Sequence, residues 1–307
     1  MISSPPPAVW KTLLAYAIIY FVWGSTFLAI RIGVAQVPPF LLAGMRFLVA
    51  GLAIYFWMVA HGQPSPTPQQ WTSAFLLALL IFVMDYGLLF WAEQRVPSGL
   101  AAVMLATVPA CMALAEIIIL RTQRLTLRLT LALLIGLAGV AVLMSRSLNL
   151  GGPAIDTAGA IALIVAAIAW SIAAALTLKL PLPSSKVMNS GAQMLAGGIL
   201  LFLTSAALGE FRNFHPAVVS RAAWLSLLYL IIAGSIIAFT AYIWLIHYQS
   251  PTKVGTYAYV NPVIAVLLGY FFAGEFVGTR TVLGTLFVLI SVIVITTMPR
   301  GKTGVSS

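Results

Sequence analysis

Tyr257-Ala258-Tyr259-Val260-Asn261-Pro262 interrupts an otherwise apolar stretch with two phenols, an amide and a helix-bending proline. Such groups are costly at membrane depth unless they face a wet cavity or a packed partner. The run has a counterpart earlier in the chain. Pro262 follows Pro109 by 153 residues, and the same 153 separates Trp91 from Trp244 and Trp71 from Trp224. Three pairs at one spacing read as a duplication. The early part of the chain repeats at 147 residues instead: Trp23 with Trp170, Gly44 with Gly191, Leu48 with Leu195 and Gly51 with Gly198. The six-residue difference falls around Glu210 to Pro216.

The 307 residues are 62% hydrophobic and 7% charged, which excludes a water-soluble domain with an ordinary charged surface. A net charge of +10 would point to nucleic acid in a soluble protein. Here the basic residues stand at the ends of apolar stretches, where such charge sets membrane orientation, so nucleic acid is not an expected partner. Cys111 is the single cysteine, so there is no disulfide framework and no cysteine metal site, and it reads as a small packing residue. The first apolar run is followed by no small-residue cleavage pattern and is expected to be a retained span.

A span needs ~20 apolar residues. Stretches of that kind fall at 11–34, 39–60, 71–94, 98–120, 126–145, 157–179, 187–208, 222–247, 252–273 and 279–298. Prolines and glycines punctuate the breaks, as at Pro38-Pro39, Gly151-Gly152-Pro153 and Ser250-Pro251. Five helices per copy is an odd number, so the second copy enters the membrane from the opposite side. The expected fold is all-α and integral to the membrane, with ten transmembrane helices as two inverted five-helix repeats, 11–145 and 157–298. Lys11, Arg121, Arg124, Arg128, Lys179, Lys186, Lys253, Arg300 and Lys302 share the side that holds both termini, which is therefore expected to be the cytoplasm.

Several motifs stand in a specific order: Trp23-Gly24-Ser25-Thr26 in the first helix and Pro38-Pro39 leading to Arg46-Phe47 in the second. Pro97-Ser98-Gly99-Leu100-Ala101-Ala102 opens the fourth, Tyr259-Val260-Asn261-Pro262 lies in the ninth and Gly274-Glu275 precedes the tenth. Over nearly the whole chain this order resembles the drug/metabolite transporter superfamily, specifically its ten-helix EamA-type permeases. The resemblance implies two EamA repeats around a central cavity, in the inner membrane of a bacterium. It also implies efflux of small metabolites, such as amino acids or their relatives, coupled to an ion gradient or to exchange. The halves differ in two places: Thr122 stands where Glu275 implies an acid, and Gln193 stands where Arg46 implies a cation.

Asp85, in the middle of the third span, is the most informative residue. A carboxylate at that depth is a functional candidate, either as a proton carrier or as a structural ion-pair partner of Arg46. Arg46 can snorkel to the headgroups, join that pair, or bind a substrate carboxylate. Tyr86, Trp170, Tyr242, Tyr257 and Asn261 are cavity candidates, since aromatic walls take apolar side chains and, by cation–π contact, an ammonium group. Their alternative is ordinary core or interfacial packing. Pro109 and Pro262 are candidate hinges or fixed kinks. Glu116, close to Arg121 and Arg124, reads as an interfacial ion-pair member, and Glu93 lies beside Arg95 near a span end.

The leading reading is a secondary transporter whose partners are a small solute, the bilayer, and a coupling proton or exchanged solute. A monomer or weak oligomer is expected. An integral membrane enzyme acting on a lipid or small apolar substrate is the alternative, yet there is no His-Glu-x-x-His, and His61, His215 and His247 are scattered. No nucleotide-binding loop is present, and no cofactor or metal is expected. A channel would call for a ring of charge that the sequence does not offer.

Overall fold

The computed structural model describes residues 7–96, 101, 104–143, 156–273 and 279–298, and every regular element among them is helical. The helices are α1 (Val9–Val34), α2 (Pro39–Ala60), α3 (Pro68–Ala92), α4 (Val108–Leu120) and α5 (Leu127–Leu143). The second half supplies α6 (Thr157–Thr177), α7 (Lys186–Ala207), α8 (Arg221–Tyr248), α9 (Tyr257–Ala273) and α10 (Thr279–Thr296). Six of them, α1, α2, α3, α6, α7 and α8, are long and apolar enough to cross a membrane. Large apolar side chains such as Phe21, Leu225 and Ile293 point outward, the reverse of a soluble protein and the pattern of a lipid-facing bundle.

Local chemistry starts these helices where the sequence breaks fall. Thr67 and Gln70 form a capping box ahead of Pro68 at the start of α3. Asp156 accepts from the Gly159 N–H at 2.7 Å before α6, and Ser185 and Ser220 play the same role for α7 and α8. The ninth span is less continuous than its sequence reads. A short helical turn, Pro251–Val254, ends at Gly255-Thr256 before α9 begins. The opening motif Pro97 to Leu100 and the Gly274-Glu275 pair lie outside the described residues.

The two halves meet along α2 and α7, where glycines let backbone touch backbone. A Cβ on Gly51 would stand 2.3 Å from the Leu195 nitrogen, and one on Gly198 would stand 2.4 Å from the Leu48 nitrogen. Leu195 is the 147-residue counterpart of Leu48, as Gly198 is of Gly51, so these are one contact made twice. Gly44 meets Phe202 and Gly191 meets Ile54 and Tyr55 in the same reciprocal way. As the α2 number rises from 44 to 55, its α7 partner falls from 202 to 191, so the helices run antiparallel. A twofold relation between antiparallel counterparts has its axis across the helices, in the membrane plane. The repeats are inverted.

Other packing obeys the same exchange. Helix α5 packs on α10; α1 packs on α8 and α9, and its counterpart α6 packs on α3 and α4. Two carboxylates tie the halves at opposite faces. Glu210 accepts from the Phe40 and Leu41 N–H groups that open α2, at 3.3 and 2.8 Å. Glu116 makes no ion pair with the neighbouring arginines, contrary to its sequence reading. It is buried, and its Oε2 accepts from the Thr252 N–H at 3.2 Å and the Thr252 hydroxyl at 2.7 Å. Open N–H groups at a helix start outcompete flexible surface cations for a buried carboxylate.

Gly51→Ala forces the seam open, because the new methyl meets backbone that cannot rotate away. Overpacking of this kind costs ~1–3 kcal/mol, and a lowered melting midpoint in detergent is the readout. Gly198→Ala should lose about as much, while Gly44→Ala, which meets the ring edge of Phe202 at 3.0 Å, should lose less. Glu116→Ala strands the Thr252 donors and should cost ~1–3 kcal/mol in the same assay, with Glu116→Gln restoring part of it.

Candidate functional site

The centre of the bundle is shaped by wide helical turns. Residues Leu79–Gly87 of α3 and Leu230–Ile237 of α8 are π-helical, and the two stretches overlap when shifted by the 153-residue spacing. Such turns are rare and concentrate at functional sites. In α3 the wide turn contains Asp85 and Tyr86. In α8 it contains Gly234 and Ser235, which face α1 and α2: Trp23 Nε1 donates to the Gly234 carbonyl at 3.2 Å, and Arg46 Nε donates to the Ser235 hydroxyl at 2.7 Å.

A cavity lies between the halves, leaving ≈ 60 Å³ for the centres of water-sized molecules. At ~10–15 Å³ for each water, that is room for about four to six of them. From α1 come Trp23, Thr26, Phe27 and Ile30; from α3, Asp85, Tyr86 and Leu89. The residues Leu105 and Val108 add an apolar edge, α6 contributes Trp170, and α9 contributes Tyr257, Ala258, Asn261 and Pro262. The α1 and α3 residues belong to the halves of those helices nearer the α1–α2 connection, whereas Trp170 and Tyr257 to Pro262 belong to the halves of α6 and α9 nearer the opposite face, so the cavity spans the middle of the bundle. At the opposite face, Glu116 with Thr252 and the 2.7 Å hydrogen bond between Tyr20 and Thr256 join the halves.

The walls are a continuous aromatic cluster. Trp23 and Trp170, counterparts across the repeat, meet edge to face at 5.6 Å. Tyr257 lies 4.8 Å from Trp23, and Tyr86 lies 5.9 Å from Trp170. Each such contact adds ~0.5–1.5 kcal/mol beyond burial. The polar groups in them are unspent. Among the described residues Asp85 has no hydrogen bond and no ion pair within 4.0 Å, and Trp170 Nε1 and Asn261 Oδ1 find no partner. Buried polar groups are nearly always paired, so two such exceptions beside an unpartnered carboxylate make this cavity the candidate site.

Of the sequence candidates, Asp85, Tyr86, Trp170, Tyr257 and Asn261 converge on this cavity. Tyr242 does not line it; the ring is buried behind the wall, 4.8 Å from Trp170 and 5.4 Å from Trp23. Arg46 neither snorkels nor pairs with Asp85. Its guanidinium turns inward with no exposed surface, 4.5 Å above the Phe47 ring and 5.0 Å above Tyr86. Cation–π contact with two rings and a hydrogen bond to a hydroxyl replace the headgroup contact that its depth in the helix permits. Pro262 lies inside α9 and lines the cavity. Pro109 is instead the second residue of α4, after a turn at Ala106-Thr107, where its missing N–H needs no partner. Glu93 is buried without a hydrogen bond, and its neighbour Arg95 pairs with Asp156 at 3.6 Å.

Sequence reasoning passed over Trp23, Thr26, Phe27, Ile30, Leu89, Leu105 and Val108 as lining residues. Trp23 carried a usable signal, because its counterpart Trp170 was already a candidate. The aliphatic members carry none, being indistinguishable in sequence from residues that face lipid.

Two stretches, residues 10–145 and 157–297, match the EamA-like transporter family. The inner membrane transporter YedA of Escherichia coli K12 is 38% identical over 259 residues, covering 84% of this chain and 81% of that one. A transporter of Bacillus subtilis, YoaV, is 23% identical over 285 residues, with 91% and 94% covered. A chloroplastic WAT1-related protein of Arabidopsis thaliana is 25% identical, over 92% of this chain and 68% of its own. A crystal structure with 20% identity superposes with a TM-score of 0.74, over 94% of this chain and 98% of the other, and so shares the fold. With the family matched in both halves, this chain belongs to the EamA-like transporters, the ten-helix permeases of the drug/metabolite transporter superfamily.

Proposed function

We propose that this protein exports small organic solutes, amino acids or related compounds, across the cytoplasmic membrane by alternating access, with both termini in the cytoplasm. The carrying observation is Asp85: a carboxylate without a protein partner, set in an aromatic cavity between two inverted halves. An ammonium group held there gains charge attraction and cation–π contact with Trp170 and Tyr257 at once. Asn261 Oδ1 and Trp170 Nε1 supply one acceptor and one donor for orientation. The repeats, 11–145 and 157–298, act as the rocking units, with Pro262 bending α9 where it meets the solute.

Asp85 is also the residue placed to carry a coupling proton, released when the solute is bound and regained after it leaves. Exchange of one solute for another would need no such proton. Purified protein in liposomes preloaded with unlabelled amino acids is expected to take up labelled amino acid by saturable counterflow; unsaturable flux would identify a channel instead. Asp85→Asn should lower the exchange at least about tenfold, the loss of one charge-assisted contact. If the Asn variant keeps its exchange but no longer responds to an imposed pH gradient, the proton belongs to Asp85. Normal pH-driven transport by that variant removes Asp85 from both roles.

A further inference from the structure

Arg46 is the largest side chain shut away from solvent among the described residues, and its charge is unanswered. Of the five N–H donors a guanidinium carries, only Nε is used, on the Ser235 hydroxyl at 2.7 Å. No acceptor in good hydrogen-bond geometry faces Nη1 or Nη2, where only the Tyr86 phenol lies alongside, and no carboxylate lies within 4.0 Å. The pocket is built to hold this group. Ser235 is itself fixed by donating to the Leu230 carbonyl across the wide turn at 3.0 Å. Gly234 leaves the room, since a Cβ there would stand 2.8 Å from Nη2. A buried cation with open donors is expensive to maintain unless something anionic comes to it. The ring of Tyr86 stands between it and the cavity, beside Thr26: that ring lines the cavity and lies 5.0 Å from the guanidinium carbon.

We infer that Arg46, with Ser235 and Gly234, forms a second pole of the solute site, an anion pocket that receives a carboxylate when Tyr86 swings off the guanidinium. This deepens the proposed function and depends on it for the solute: a zwitterion, with its ammonium at Asp85 and its carboxylate at Arg46, is preferred over the corresponding amine. The second half does not repeat it among the described residues. At the equivalent position of the second half Gln193 bonds Asn189 at 2.8 Å and offers no charge. An inorganic anion such as chloride shares the chemistry and could occupy the same donors.

Tryptophan fluorescence reports the site, because Trp170 touches Tyr86 edge-on. Sodium acetate titrated into the purified protein is expected to give a saturable change. Arg46→Gln should need at least ten times more acetate, and Arg46→Lys an intermediate amount. Sodium chloride titrated the same way shows whether a carboxylate or a halide binds tighter, and an Arg46-dependent response to either supports the pocket. Identical titrations of wild type and Arg46→Gln, or no response to either anion, overturn it. Should Arg46→Gln fail to fold, Ser235→Ala keeps the charge and must still weaken the acetate response; an unchanged response again overturns the pocket. The solute is tested in liposomes with L-leucine against 3-methylbutylamine, which lacks the carboxylate. Wild type should favour L-leucine at least tenfold and Arg46→Gln should lose that preference; equal L-leucine exchange by both contradicts the carboxylate role. No L-leucine exchange by wild type, with the acetate response intact, removes the amino-acid reading and supports the anion pocket on its own.

Discussion

Where α2 crosses α7, four glycines bring two backbones closer than any side chain would allow, and the rest of the molecule follows from that seam. Apolar side chains gain little by leaving lipid for one another, so close packing is the main attraction available between membrane helices. Gly51 on Leu195 and Gly198 on Leu48 supply it twice over, once from each repeat. Because the contact is its own counterpart, it fixes the halves antiparallel and sets their shared axis. The aromatic cavity then lies where α1, α3, α6 and α9 meet around that axis, and Trp23 faces its own counterpart Trp170.

The scaffold is symmetric but the chemistry in it is not. Asp85 has Ala238 as its counterpart, Asn261 has Val108, and Arg46 has Gln193. Under the proposed function a duplicated pair of bundles would offer two equivalent routes to the membrane faces, while one set of polar groups would give the solute a single orientation. That division of labour explains why the glycines and tryptophans of the repeat match between halves and the ionisable residues do not. It also explains the two face-bridging carboxylates, Glu210 on the start of α2 and Glu116 on Thr252, which have no shared position in the repeat. Such ties are local choices at each face rather than part of the inherited frame.

Much of this was legible in the sequence. Paired tryptophans and glycines at 147 and 153 residues exposed the duplication, and the odd helix count its inversion. Asp85 announced itself by depth alone, and Tyr257 with Asn261 by sharing a helix face. What sequence could not supply was direction. Arg46 has the reach to snorkel, and only the position of Ser235 and Gly234 in a wide turn of α8 shows that it turns inward. Tyr242 and Tyr86 are both phenols at similar depth, yet one fills the wall and the other faces the cavity. Pro109 and Pro262 match in number but not in helical context, because the turn at Ala106-Thr107 comes just ahead of Pro109. These are consequences of long-range packing, which spacing along the chain does not encode.

Under the proposed function, Asn261 and its neighbours see each side of the membrane in turn, with a solute among them when they do. The direct measurement is labelling of Asn261→Cys, with Cys111→Ala removing the native thiol, by a membrane-impermeant maleimide applied to right-side-out and to inside-out vesicles. Labelling from both faces, slowed by a solute that the protein exchanges, is the predicted result. Labelling from one face only under every gradient, or a thiol that no solute protects, would contradict it.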